Sequence, residues 1–297
     1  MKKIFVSNTL DPYRNVAAER RLMREAGDVC LFLWVNGPCV IAGYNQDAIS
    51  QWDSGALSLY GVIPVRRFTG GGTVYHDEGN LNFSFAYPDG ILEREECLEI
   101  VKTALAKAGI EAEVSGRNDI LAGGRKVSGC AWMSDEGKTL VHGTLMVDVD
   151  RDMMARLLTP ENEKYSGRGI RSVSSRVANL GEMTEGLTVG RMKELVMDSF
   201  REAYPDAVFC GEAPPDEECA RRISSPAYIY RTIAPLDTTV TRRLEGGTVT
   251  LHLTLDGDRI TKARVFTDST DLDFPERIRR RLEGNSFLEL DGLLEGV

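Results

Sequence analysis

The chain has 297 residues, of which 42% are hydrophobic and 27% charged, a composition typical of a globular protein with one large domain and a small one. Its formal net charge of −9 argues against nucleic acid or an anionic membrane surface as the main partner. No apolar run approaches the ~20 residues of a membrane-spanning helix, and the N-terminal stretch does not resemble a signal peptide. The six cysteines form no CxxC pair, so we expect buried thiols in a cytoplasmic protein.

The first part of the chain alternates between helix and strand patterns. Strict alternation in LNFSFAY, residues 81–87, predicts a strand with one buried and one exposed face. Runs of good helix formers that end near a glycine predict helices on either side of the strands. In chain order we predict a helix over 15–26, strands over 31–35, 39–44, 61–68 and 81–87, and a helix over 93–110.

The second part continues with strands over 125–133 and 139–149, joined by a turn at 135–137. Helices are predicted over 151–160, 188–205 (with Thr188 as N-cap) and 275–284, and a hairpin over 248–268. Residues 205–226 are rich in Pro and charge, which predicts a linker or an irregular surface segment. The fold class is therefore α+β (mixed α/β). A large domain over 1–225 has mixed, mainly antiparallel sheets flanked by helices, and a small α+β C-terminal accessory domain covers 226–297.

Residues 66–80, RRFTGGGTVYHDEGN, place three glycines beside charged and polar groups. Glycine lacks a Cβ, so the backbone can adopt positive φ and a ligand can lie directly on the peptide groups. Taken alone, the triplet is most simply a hairpin turn. It is neither a Walker A loop nor a GxGxxG motif that opens a helix.

Three more segments carry polar groups that a plain core does not need: 116–120, 123–132 and 140–146. Lys126 is either an exposed edge charge or a positive charge for a phosphate or carboxylate oxygen. Asn118 and Asp119 form either a turn or a Mg²⁺ site. His76 and His142 are either structural or functional. No GxSxG nucleophile is present, and the Cys130 thiol has no base fixed by spacing.

Together and in this order, these segments resemble the lipoate–protein ligase family, part of a larger group with biotin–protein ligases and octanoyl transferases. The resemblance rests on DPYRNVAAE, RRFTGGGTVYHDEGNLNFSF, GRNDI, RKVSGCA, HGTLM and SVSSRVANL, followed by EGGTVTLHL and ARVFTD in the accessory domain. It implies that lipoate and ATP form lipoyl-AMP with Mg²⁺. The acyl group then passes to a lysine of a lipoyl-carrier domain, in 2-oxoacid dehydrogenases or the glycine-cleavage H protein. It implies a monomer with no nucleic-acid or membrane partner.

The resemblance also implies roles for individual residues. Lys126 is the catalytic residue and contacts both substrates. The Mg²⁺ ligands are Asn118 and Asp119. ATP or the adenylate is bound by Arg67, Gly72, Thr73, Val74, Tyr75, His76, Asn80 and Lys126, and lipoate by Thr69, Gly70, Gly71, Lys126, His142 and Gly143.

Three positions depart from the family pattern. Thr69 replaces the usual Ser, Tyr44 lies where Arg is common, and Met133 lies where some bacterial ligases have Arg. Octanoate therefore stays open as the acid. An octanoyl transferase that forms a thioester on Cys130 without ATP is the main alternative, and a non-catalytic lipoate- or carrier-binding protein is another. A biotin ligase is disfavoured because its GRGRxGR-type loop is missing.

Overall fold

A computed structural model describes residues 1–115, 119–158, 177–231 and 238–297. The predicted site residue Asn118 and most of SVSSRVANL lie outside these ranges. Within them, the centre of the molecule is an eight-stranded mixed sheet. From edge to edge its strands are β11 (Val208–Glu212), β1 (Lys3–Val6), β2 (Cys30–Trp34), β6 (Asn80–Pro88), β10 (Lys138–Met146), β9 (Arg125–Asp135), β8 (Asp119–Ala122) and β7 (Ala112–Ser115).

The pairings of β1 with β11 and with β2 are parallel, and the other five pairings in this sheet are antiparallel. Two three-stranded sheets accompany it, in the orders β4-β3-β5 and β12-β13-β14. The predicted mixed, mainly antiparallel architecture is confirmed. The strands of the small sheets are β3 (Cys39–Ala42), β4 (Ile63–Arg66), β5 (Val74–His76), β12 (Thr238–Leu244), β13 (Gly247–Asp256) and β14 (Arg259–Thr267).

The helices cover the large sheet on both faces, and each predicted helix has a counterpart. Thr188 accepts a hydrogen bond from the Arg191 amide, which confirms it as an N-cap. None of the helices in the described ranges is long and apolar enough to span a membrane. They are α1 (Pro12–Glu25), α2 (Ala48–Gln51), α3 (Ser54–Tyr60), α4 (Arg94–Lys107), α5 (Arg151–Leu157), α6 (Val189–Ala203), α7 (Glu217–Ile223), α8 (Pro226–Tyr230), α9 (Phe274–Leu282) and α10 (Leu290–Leu294).

The strand predicted to be half-buried, LNFSFAY, is buried on both faces, so that prediction was wrong. Phe83 and Phe85 pack into the core under α4 and α6. The opposite face carries Asn82 and Ser84, which are 1% and 2% exposed beneath α1. The alternation was real, but its polar face is turned to buried polar partners rather than to solvent.

The prediction of a linker or an irregular surface segment over 205–226 was also wrong. It contains the edge strand β11, which pairs in parallel with β1, and the helix α7. Strand β11 is five residues long and mostly exposed, so it lacks the alternation that marks a half-buried strand.

The sheet β12-β13-β14 and α9 share a hydrophobic core of their own, which includes Val249, Leu251 and Ile278. Ile229, on α8, instead packs into a core of the preceding part with Val40 and Trp52. The predicted domain boundary at 225/226 stays a prediction, and we propose that it lies after α8.

Candidate active site

A cleft of about 240 Å³ opens between the large sheet, α1 and the segment around Gly70–Gly72, which we call the glycine segment. Its walls combine apolar side chains with backbone amides, charged groups and Lys126. Its walls are Val16, Glu19, Trp34, Ile41, Arg67, Gly71, Gly72, Thr73, Val74, His76, Asn82, Asp119, Lys126, Gly129, Cys130, Ala131, His142, Gly143, Thr144 and Asp268.

The glycine segment is held from below by Arg67, which is 7% exposed. Its Nη2 donates to the carbonyls of Gly70 at 2.6 Å and Gly72 at 2.8 Å, and Nη1 donates to the Ile41 carbonyl at 3.1 Å. Burial lowers the pKa of Arg67 to about 10, so the guanidinium stays charged at neutral pH. Because these donors are engaged with backbone oxygens, the geometry favours a positioning role for Arg67 over direct phosphate binding.

Two glycines in this region are required by geometry. Gly71 has φ +90°, which L side chains rarely adopt. A Cβ at Gly43 would collide with the Gly71 carbonyl oxygen, so the two loops approach closely. The Gly71 amide donates to the carbonyl of Ser269 at 3.0 Å, which brings the C-terminal unit onto the glycine segment.

Lys126 lies at a register shift between β8 and β9, which redirects its side chain. Its Nζ lies 2.7 Å from Asp119 Oδ1, and both side chains are about 40% exposed. Gly129 leaves room for the lysine, because a Cβ there would lie 3.1 Å from Lys126 Nζ. The Lys126 ammonium thus lies at the cleft beside the Asp119 carboxylate.

A chain of buried hydrogen bonds runs under the cleft. Glu19, which is 1% exposed, accepts from Ser84 Oγ at 2.5 Å and lies 2.8 Å from His142 Nδ1. His142 Nε2 lies 2.8 Å from Thr69 Oγ1, to which Arg67 Nε donates at 3.0 Å. These hydrogen bonds therefore join Glu19 on α1 to Arg67 beneath the glycine segment.

His76 is 3% exposed at the cleft wall. Burial, with the nearby positive Arg67, lowers the pKa of His76 to about 3, so its ring is neutral at physiological pH. Asn36 Nδ2 lies 3.3 Å from Nδ1 and can only donate, so the ring proton resides on Nε2. That Nε2–H has no partner among the described residues.

The Cys130 thiol also faces the cleft. Burial raises the pKa of Cys130 to about 12, and its hydrogen-bond partner is Ser128 Oγ at 3.6 Å. His142 is paired elsewhere and gives it no base. A Cβ at Gly143 would collide with Phe83 and lie 2.8 Å from Cys130 Sγ, so Gly143 makes room for both side chains.

Most of the predicted site residues meet at this cleft. Thr69 and Gly70 lie just behind its wall, and Gly70 is covered by Ser269 and Thr270. Tyr75 packs in a core, and Asn80 donates to Asn82 Oδ1 at 3.0 Å instead of lining the cleft. Those that line it are Arg67, Gly71, Gly72, Thr73, Val74, His76, Asp119, Lys126, His142 and Gly143.

Sequence reasoning missed Glu19, Trp34 and Asn82. Glu19 shares a helix face with the buried Val16 and Met23. A carboxylate on an apolar helix face is the signal by which Glu19 could have been found. Asn82 lies on the polar side of the alternating strand β6. Trp34 follows four buried apolar residues in β2 and carried no separate signal.

The residues present are compatible with Mg²⁺ in one respect. Among the described residues, no group of three or more His, Cys, Asp or Glu side chains forms a metal cage. Asp119 places one carboxylate at the cleft. A single protein carboxylate suits a Mg²⁺ ion whose other ligands are mostly phosphate oxygens.

Solved structures of similar fold include three lipoate–protein ligases. P. falciparum LipL1, in complex with lipoate, superposes with a TM-score of 0.84 at 23% identity, over 96% of this chain and 90% of that chain. A structure from an archaeal lipoylation system, comprising a bipartite lipoate protein ligase and its E2 lipoyl domain from Thermoplasma acidophilum, gives 0.69 at 24% identity, over 78% and 97%. Lipoate-protein ligase A bound with ATP gives 0.64 at 25% identity, over 76% and 95%.

A family model described as the lipoyl protein ligase A/B catalytic domain matches residues 11–201. This match spans α1, the glycine segment, Lys126 and His142. The resemblance drawn from the sequence motifs is thereby confirmed, and the chain belongs to the lipoyl protein ligase A/B catalytic domain family.

Proposed function

We propose that the chain is an ATP-dependent, AMP-forming lipoate–protein ligase. The observation that carries this proposal is that one cleft is lined by the apolar side chains of Val16, Trp34 and Ile41 and also by Lys126 and the glycine segment. Val16, Trp34 and Ile41 would take the carbon chain of the acid. Its carboxylate would then lie toward Lys126, where ATP binds along the glycine segment.

Acyl adenylation requires two anions to meet, because a carboxylate oxygen attacks the α-phosphorus of ATP and pyrophosphate leaves. The ammonium of Lys126 would contact both the carboxylate and the α-phosphate, and stabilise charge that grows on the phosphoryl oxygens. His76 Nε2–H is a free donor for the same ligand. Asp119 would hold Mg²⁺, which supplies further positive charge to the phosphates.

Transfer requires a nucleophile, and we propose that the lysine amine of a carrier domain supplies it. The amine attacks the acyl carbon and AMP leaves. The T. acidophilum ligase belongs to a lipoylation system with its E2 lipoyl domain, which supports a lipoyl-carrier domain as the partner. We propose that the carrier is a domain of a 2-oxoacid dehydrogenase or the glycine-cleavage H protein. We expect the enzyme to act as a cytoplasmic monomer.

The test is ATP–pyrophosphate exchange with lipoate and Mg²⁺, followed by mass measurement of an apo-lipoyl domain. We expect acid-dependent exchange and a lipoyl mass increment on the domain. A carrier whose target lysine is replaced by arginine is the control and should stay unmodified. Absence of exchange with both lipoate and octanoate would contradict the proposal.

The alternative is an octanoyl transferase that uses Cys130, whose sulfur lines the cleft. Its raised pKa and the lack of a hydrogen-bonded base among the described residues weigh against a thiolate nucleophile. Transfer from octanoyl-carrier protein without ATP, abolished by Cys130→Ala, would favour the transferase instead.

A further inference from the structure

We propose that Glu19 is a positioning residue that orders the glycine segment from helix α1, through His142, Thr69 and Arg67. This inference rests on the proposed function, because it assigns the glycine segment to the nucleotide. The path consists of the Glu19–His142, His142–Thr69, Thr69–Arg67 and Arg67–Gly72 hydrogen bonds, each between 2.8 and 3.0 Å.

The direction of each hydrogen bond follows from what each group can donate. Arg67 Nε can only donate, so it gives a proton to Thr69 Oγ1. Ser84 donates to Glu19, which leaves the carboxylate to accept from His142 Nδ1–H. A neutral His142 then accepts the Thr69 hydroxyl proton at Nε2. In this arrangement each donor along the path has an acceptor.

The alternative arrangement leaves the Thr69 hydroxyl proton without an acceptor. If His142 Nε2 also donated to Thr69, the hydroxyl would accept twice and its own proton would need another acceptor. Thr69 is 0% exposed, and the hydrogen-bond partners found for its hydroxyl are Arg67 and His142. A buried hydroxyl without an acceptor is unfavourable, so the Glu19 carboxylate selects the His142 tautomer that orders Thr69.

Arg67 transmits that order to the backbone. Its Nε is held by Thr69, while Nη2 bonds the carbonyls on both sides of Gly71. These bonds fix the peptide planes at Gly70 and Gly72, and hence the directions of the neighbouring amides. Loss of Glu19 would leave His142 free to change tautomer and rotate, and the glycine segment would lose one of its supports.

The test is a double-mutant cycle with Glu19→Leu and Thr69→Val, read by the KM for ATP in pyrophosphate exchange. Each single change breaks the same hydrogen-bond path. Each should therefore raise the KM for ATP about tenfold, the effect of losing one buried hydrogen bond. The double variant should be about tenfold impaired rather than a hundredfold, because the path is already broken. Glu19→Gln keeps the acceptor oxygen and should recover most of the affinity.

Val16→Ala is the matched control, because it changes the apolar wall on the same helix without touching the path. It should raise KM for the acid and leave KM for ATP unchanged. If Glu19→Leu behaves like Val16→Ala, or if the two path variants multiply to about a hundredfold, the positioning role is wrong.

Hydrogen exchange of the unliganded protein separates this inference from the proposed function. Peptides covering 66–76 should exchange faster in Glu19→Leu than in Val16→Ala, and the hairpin 247–267 should be unchanged in both. If the wild-type chain shows no ATP–pyrophosphate exchange, the proposed function fails, yet the exchange rates still decide whether Glu19 orders the glycine segment. Equal rates over 66–76 in the two variants would overturn the inference.

Discussion

Replacing Gly71 with alanine tests whether the glycine segment has the geometry required for its proposed role. Gly71 has φ +90°, and a Cβ there would lie 2.9 Å from Arg67 Nη2. A residue with a Cβ in the left-handed region costs about 1–2 kcal/mol. The displaced Nη2 would weaken two charge-assisted hydrogen bonds, and losing one such bond costs about 1.5–3 kcal/mol.

The combined cost is roughly 2.5–5 kcal/mol if the segment keeps its conformation and one of the two hydrogen bonds is lost. The segment borders an open cleft, so we expect it to relax in the free protein and to need re-ordering when ligand binds. The affinity for a non-hydrolysable lipoyl-adenylate analogue, measured by isothermal titration, should then fall at least about 30-fold, which corresponds to about 2 kcal/mol.

Gly90 offers a matched control, because it has φ +81° and a Cβ there meets nothing within 4 Å. It lies in a turn after β6 and outside the cleft wall. Gly90→Ala should lower Tm by a few degrees through backbone strain and leave the affinity unchanged. Wild-type affinity in Gly71→Ala, or an equal loss in Gly90→Ala, would refute the reasoning.

Three further predictions follow from the cleft. Lys126→Ala should abolish acyl-dependent pyrophosphate exchange with little change in Tm, since the side chain is 39% exposed; retained activity would remove Lys126 from the reaction. Cys130→Ala should keep ligase activity. In the wild-type chain, mass spectrometry should find slow alkylation of Cys130 by iodoacetamide at pH 7.5, because the pKa of Cys130 is raised to about 12. Rapid alkylation would contradict the assignment of Cys130 as a neutral thiol. His76, whose folded pKa is about 3 against 6.5 unfolded, binds fewer protons in the folded state between these values. Its contribution to stability is therefore complete above about pH 6.5 and is lost as pH falls toward 3, with a slope of at most about 1.4 kcal/mol per pH unit. His76→Gln should flatten the fall of Tm between pH 6.5 and 4, and an unchanged profile would contradict a buried neutral histidine.

The sequence predicted the layered fold and most cleft residues because periodicity and motif order carry that information. Helix and strand patterns located α1, α4, α6 and the β9–β10 pair within a few residues. Lys126 and the glycines lie at one cleft because β9 pairs with β10, and His142 on β10 is hydrogen-bonded to Thr69 beside the glycines.

What the sequence did not reveal depends on partners far apart in the chain. The polar face of β6 looked solvent-exposed because Ser84 alone cannot show that Glu19, 65 residues earlier, accepts its proton. Arg67 was assigned to nucleotide binding because its backbone acceptors, the carbonyls of Gly70 and Gly72, are recognised only in the folded structure. Strand β11 was missed because its order comes from pairing with β1, not from its own pattern.

The most direct test of the central claim is ATP–pyrophosphate exchange measured across a panel of acids with the purified chain. We predict exchange that depends on lipoate or a medium-chain acid such as octanoate, requires Mg²⁺, and disappears in Lys126→Ala. No exchange with any acid, together with acyl transfer from octanoyl-carrier protein without ATP, would contradict the account.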